Sequence, residues 1–84
     1  MLAEAVVGAV AGKADQRYAV AYLSEPTDNV SKDEAVTFSL KVWKGECEPQ
    51  RGQVVLLGRI EKFVKGWRAL YAKPVILKLK KPKQ

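Results

Sequence analysis

Ten aromatic and cationic side chains are the groups in this sequence that could do chemistry, and the chemistry that suits them is the binding of a polyanion. Rings stack on nucleobases, and lysine and arginine side chains neutralise phosphates. The two types alternate along the chain: Trp67, for example, lies between Lys65 and Arg68. The residues predicted to bind nucleic acid are Arg17, Tyr18, Tyr22, Lys41, Trp43, Arg59, Lys62, Trp67, Arg68 and Lys73.

Catalysis is not expected from this sequence. It contains no histidine, which excludes Ser-His-Asp and Cys-His nucleophile systems as well as histidine-ligated metals. Cys47 is the single cysteine, which excludes an internal disulfide and a thiolate-rich zinc site. We therefore expect a protein that is not an enzyme, with no catalytic residues, no metal and no cofactor.

The net charge of +6 is concentrated in the second half of the chain. Residues 1–42 contain four Lys/Arg and six Asp/Glu, whereas residues 43–84 contain eleven and three. This asymmetry indicates a basic binding face rather than a uniformly charged surface. The alternative, in which scattered lysines only keep the protein in solution, stays open.

The length of 84 residues fits one small domain, and the first ten residues bear on its location. They are apolar but lack the cationic segment that begins a secretory signal. They are also too few to span a membrane, which needs roughly twenty apolar residues. We therefore expect a cytoplasmic protein without a membrane partner.

Five segments are predicted to form β-strands, and the second and third of them show the period of two that a strand gives to its buried face. In the second of them, Tyr18, Val20 and Tyr22 alternate with alanines and a leucine. Residues 31–34 match a helix capping box, which allows one short helical turn before the third strand. The predicted strands are 3–10, 17–23, 35–42, 53–63 and 67–77, and residues 78–84 are predicted to form a basic, flexible tail.

Five short strands with few helical signals predict an all-β fold, a small five-stranded OB-like barrel over residues 1–77. Closure into a barrel removes the exposed edges on which short sheets aggregate. Gly58 interrupts the fourth strand, where a bulge could change the face that looks inward. Phe38 and Phe63 are predicted to lie in the core. Burial and exposure for stacking both stay open for Tyr18, Tyr22, Trp43 and Trp67.

Several short motifs follow this strand order. The second strand reads Arg-Tyr-Ala-Val-Ala at residues 17–21 and the third Ala-Val-Thr-Phe-Ser-Leu at 35–40, followed by Gly-Gln-Val-Val at 52–55 and Gly-Trp-Arg-Ala at 66–69. Over residues 5–76 the chain thereby resembles the cold-shock type of OB-fold domain. The resemblance implies a barrel that binds single-stranded nucleic acid. The positions that stack bases in that family fall on Thr37 and Ser39 here, and the second-strand glycines are replaced, so the barrel is implied more strongly than the ligand.

These observations predict non-catalytic binding of single-stranded RNA or DNA by a basic, aromatic face of strands two, three and five. Strand pairing is expected to bring Arg59, Lys62, Arg68 and Lys73 together as phosphate contacts. Two other functions stay open: a protein-protein interaction module or small subunit of a larger complex, and the coating of duplex DNA. Exposed rings beside cations favour nucleic acid, whereas an apolar patch without cations favours a protein partner. The oligomeric state is not predicted.

Overall fold

The computed structural model of the protein describes residues 2–27 and 30–75. The chain there is all-β, and its strands lie where the sequence predicts them to within a few residues. Residues 76–77, predicted to end the fifth strand, and the predicted tail at 78–84 lie outside the described residues. The strands are β1 (Leu2–Ala11), β2 (Tyr18–Leu23), β3 (Ala35–Ser39), β4 (Val54–Phe63) and β5 (Gly66–Pro74).

The five strands close into a barrel in the order β1-β2-β3-β5-β4, and β4 returns to pair with β1. The neighbours are antiparallel except for β3 and β5, which run parallel where Val36 pairs with Trp67 and Thr37 with Arg68. The closed order gives each strand a partner on both sides, which is how a short sheet avoids exposed edges. The predicted fold class, an all-β five-stranded barrel, is confirmed.

The interior is built from small side chains around one ring. Phe38 is fully buried, as predicted, together with valines, leucines and five alanines. The strand period decides which side chains point inward: Ala19 and Ala21 of β2 are buried, whereas Tyr18 and Tyr22 are exposed. Because alanines keep the barrel narrow, the other aromatic rings of the described chain lie on its outside or at its ends.

At Arg59, the side of β4 that points into the barrel changes. Leu57 is buried, but Arg59 is exposed with a left-handed φ of 54°, and Ile60 packs against the core instead. β5 changes face at the same level, since two alanines three residues apart are both buried there. The register between the two strands stays regular. The change of face predicted near Gly58 is therefore present, but the predicted bulge is not.

The helical turns lie elsewhere than predicted. Residues 31–34 form a single hydrogen-bonded turn, in which the amide of Glu34 donates to the carbonyl of Ser31 at 3.1 Å. Single turns of 3₁₀ helix occur instead at Ala14–Gln16 and Leu40–Val42. The second of these ends β3 at Ser39, whose hydroxyl accepts a hydrogen bond from the amide of Lys41 at 3.1 Å. The prediction that this strand continues to residue 42 is wrong because that cap bends the chain.

Candidate functional site

A groove of about 580 Å³ lies on the outside of the barrel, where the start of β2, the end of β3 and the hairpin between β4 and β5 meet. Thr37 and Ser39 of β3 line it, and they alternate with buried core residues. Ser39 pairs with Tyr18 of β2, and Thr37 pairs with Arg68 of β5. The groove therefore crosses strands β2, β3 and β5, the three strands predicted to bind.

Three rings with exposed surface line the groove, and the buried Phe38 is the fourth aromatic residue in its lining. Tyr18 and Phe63 are each 40% exposed, and Trp67 is half-buried, with part of its indole packed against the core. The prediction that Phe63 belongs to the core is wrong. Phe63 lies at the tip of the β4–β5 hairpin, paired with Gly66 and beyond the part of β4 that pairs with β1. The hairpin thus carries its rings past the closed barrel, where a ligand could contact them.

Cations lie over two of these rings. The Cζ atom of Arg68 is 5.0 Å from the centroid of the Phe63 ring, and the Nζ atom of Lys62 is 5.0 Å from the centroid of the Trp67 ring. Each such contact at an exposed site is worth about 0.5–1 kcal/mol. The hairpin therefore presents rings and charges as paired units.

The lining of the groove has one sign of charge. Arg17, Lys41, Lys65 and Arg68 are its cations, and no Asp or Glu is found among its described lining residues. One of the four is engaged: Arg17 forms an ion pair and hydrogen bond with Glu48, the one ion pair recorded within residues 2–27 and 30–75. A concave surface lined by cations concentrates anions from solution.

Trp43, a predicted stacking residue, is part of the barrel packing. Its ring is stacked on that of Phe38, with centroids 5.7 Å apart and an interplanar angle of 23°. Its indole N–H donates to the carbonyl of Cys47 at 2.7 Å, and a Cβ added at Gly45 would lie 2.7 Å from the indole. The ring is half-buried and is not among the residues that line the groove.

Four further predicted residues lie outside the groove. Lys73 pairs with Leu56, five residues along β5 from Arg68, which is about 16 Å at the rise of a strand. Arg59 is exposed but does not line the groove. Tyr22 is 46% exposed and lies at the other end of β2 from Tyr18, where its ring covers Gly8. Lys62 does not line the groove either, although its ammonium lies over the ring of Trp67, which does. The expectation that strand pairing brings Lys73 close to Arg68 is wrong.

The groove also contains residues that were not predicted to bind. Thr37 and Ser39 could have been found, because the period of β3 places them outward and the cold-shock resemblance puts its stacking positions there. Lys65 lies at the hairpin turn, beside the predicted Trp67. No local signal in the sequence identifies Gln16 or Phe63, since their place depends on how the hairpin meets β2 and β3.

Three features of the described residues concern metal binding, the free thiol and membrane insertion. No group of three or more histidine, cysteine or acidic side chains there could hold a metal ion. Cys47 is free and exposed. None of the helical segments within residues 2–27 and 30–75 has the length and apolar character needed to cross a bilayer.

Comparison with known proteins finds no match for this chain among family models, curated proteins or solved structures. The resemblance to cold-shock domains therefore stays a prediction from short motifs, while the barrel stands on the structure itself.

Proposed function

We propose that this protein binds single-stranded RNA or DNA in the groove, without catalysis. The observation that carries the proposal is the composition of the groove: rings and cations line it together, and no carboxylate is found among its described lining residues. Single-stranded nucleic acid needs this combination, because its bases stack on rings while its phosphates are neutralised by lysine and arginine.

The partial exposure of Tyr18 and Phe63 favours a single strand over a duplex. Bases in a duplex are stacked on one another, so their faces cannot reach a side chain, whereas a single strand can turn its bases onto the two rings. Each stacked base contributes about 1–3 kcal/mol, so two rings supply enough for measurable affinity. Coating of a duplex uses the cations alone and predicts equal affinity for duplex and single strand.

The charges of the groove supply the rest of the affinity. Lys41, Lys65 and Arg68 make no recorded ion pair with a described residue, so each is free to meet a phosphate. Neutralising three phosphates on a single strand predicts that log K falls with log salt at a slope of about −2. The predicted cytoplasmic location is compatible with this function and stays a prediction.

Tryptophan fluorescence tests the proposal, because the two tryptophans occupy different environments. Trp43→Phe keeps Trp67, which lines the groove, as the one tryptophan, and Trp67→Phe keeps the packed Trp43. We expect short single-stranded RNA or DNA to quench the Trp43→Phe protein in a saturable titration, with little change for Trp67→Phe. The matching duplex should quench more weakly at the same concentration.

Two results would contradict the proposal. The first is an unchanged emission of the Trp43→Phe protein at every oligonucleotide concentration. The second is equal quenching of both variants by single strand and duplex, which would indicate non-specific contact with the whole protein surface.

A further inference from the structure

A second surface lies on the outward side of β1, β4 and β5, with Tyr22 of β2 at its edge, away from the groove. Three rows of paired residues cross it. Tyr22, Val6 and Val54 form the first row, and Glu4, Leu56 and Lys73 form the middle one. The third consists of Leu2, Gly58 and Tyr71. We call these three rows together the β1–β4 face.

The outer rows of this face are apolar and open to solvent. Leu2 is 41% exposed, Val6 and Val54 are each 36% exposed, and Tyr22 is 46% exposed. In the third row, Leu2 and Tyr71 lean over Gly58: a Cβ added there would meet Leu2 at 2.9 Å and Tyr71 at 3.4 Å. Adjoining exposed apolar residues of this kind mark an interaction site more often than scattered single ones do.

The middle row carries one charge of each sign. Glu4 and Lys73 lie on either side of Leu56, two strand spacings or about 9.6 Å apart. Neither makes an ion pair with any residue that the structure describes. An apolar face with an unpaired carboxylate on one side and an unpaired ammonium on the other carries complementary charges at its two margins.

We infer that the β1–β4 face binds a second copy of this chain, with the two-fold axis running along β4. A two-fold axis that lies in the contact plane brings the left side of one face against the right side of the other. Residues of the strand that lies on the axis therefore meet their own copies. Glu4 would then face the partner's Lys73, and Lys73 would face the partner's Glu4. Leu2 would face the partner's Tyr71 in the same way.

The residues on the axis suit this contact. Val54 and Leu56 of β4 would meet their own copies with apolar surface on both sides, and Gly58 leaves room for the side chains that lean over it. Polar pairs at the margin around apolar residues at the centre are the usual arrangement of a protein interface. The same geometry gives a role to Lys73, which the groove does not use.

The inference is independent of nucleic-acid binding. The groove lies over β2, β3 and the β4–β5 hairpin, so it stays open on each copy of the pair. A dimer would present two grooves, but its formation needs no ligand, and either property can be tested when the other fails.

Sedimentation equilibrium of the full chain across the micromolar range tests self-association. Val54→Lys places two like charges against each other at the axis, and we expect it to raise the dimer Kd by at least about a hundredfold. Val64→Lys is the matched control, because it makes the same change at a fully exposed hairpin residue outside the face. Circular dichroism should show the same β content for both variants.

A charge exchange gives the sharper test. Glu4→Lys and Lys73→Glu each turn both Glu4–Lys73 pairs of the dimer into like charges, so each should weaken the dimer by about tenfold. The double variant, Glu4→Lys with Lys73→Glu, restores opposite charges and should recover the original Kd. Recovery of this kind cannot come from a general loss of folding.

Three results would overturn the inference. A chain that stays monomeric at every concentration would leave the β1–β4 face to a different protein or to the chain's own residues after Val75. A dimer that Val54→Lys leaves intact would use another surface. A double charge variant no tighter than the single ones would exclude the two-fold arrangement along β4.

Discussion

Arg17 is the groove cation whose charge is already balanced, by Glu48. The side chains of this pair are 35% and 51% exposed, so water screens it and it is worth no more than about 1 kcal/mol. A phosphate entering the groove can therefore compete with Glu48 for the guanidinium. The carboxylate would act as a built-in competitor of the ligand.

Removal of that competitor should strengthen binding. We expect Glu48→Gln to tighten single-strand affinity about two- to fivefold and to steepen the salt slope by about 0.7, one further phosphate contact. Fluorescence anisotropy at several salt concentrations measures both values. Glu46→Gln is the control, since it removes the same charge two residues away and Glu46 forms no ion pair with a described residue. Equal tightening by both variants would point to net charge alone.

Single aromatic residues show how far the sequence predicts the site. Phe38 follows from the period of β3, because a ring that alternates with polar residues in a strand points inward. Trp43 does not follow, since the Ser39 cap bends the chain and turns the indole onto Phe38. The prediction that Phe63 is buried is wrong for another reason. The alternation continues into the hairpin after the barrel interior has ended, so an apolar period there no longer means burial.

At the scale of elements, β4 has an unusual backbone conformation at Arg59. Replacement of this residue also tests whether the binding site extends to it. Arg59 has a φ of 54°, a conformation that costs a residue with a side chain about 1–2 kcal/mol and costs glycine almost nothing. Arg59 was predicted to contact phosphate, yet it lies outside the groove. Stability and affinity should therefore respond differently to its replacement.

We expect Arg59→Gly to raise the free energy of unfolding by about 0.5–1 kcal/mol and to leave single-strand affinity unchanged. Arg59→Val should lower the free energy of unfolding by about 1–2 kcal/mol, because a β-branched residue tolerates this backbone poorly. Urea unfolding and anisotropy measure the two properties. A clear loss of affinity in both variants would place Arg59 in the interface after all.

The strands themselves were predictable because their signal is local. The period of two located the second and third strands, β-prone apolar runs and turn residues located the others, and the number of short strands favoured closure. The parallel contact of β3 with β5 and the change of face in β4 were not readable in detail, since both depend on how the closed barrel brings distant segments together. The groove could not be predicted from the sequence for the same reason. It is formed jointly by β2, β3 and a hairpin that lies more than twenty residues further along the chain.

At the scale of the whole molecule, the two faces divide the surface by chemistry. Cations and rings line the groove, whereas the exposed residues of the β1–β4 face are mostly apolar. Among the described residues, the interior between these faces contains little beyond alanines, valines and leucines, with Phe38 as the one fully buried ring. A domain of this size has a small margin of stability, so that ring should matter for folding far more than for binding.

The same substitution at two phenylalanines separates folding from binding. Phe38→Ala should lower the free energy of unfolding by about 3–5 kcal/mol, because it leaves a cavity in the core and removes the ring that Trp43 stacks on. Phe63→Ala should change that free energy by less than about 0.5 kcal/mol, since the ring is exposed. It should nevertheless weaken single-strand binding about tenfold, because a stacking surface and the support of Arg68 are both lost. Urea unfolding and anisotropy of the two variants measure these changes, and a Phe63→Ala protein that binds normally would remove the hairpin from the interface.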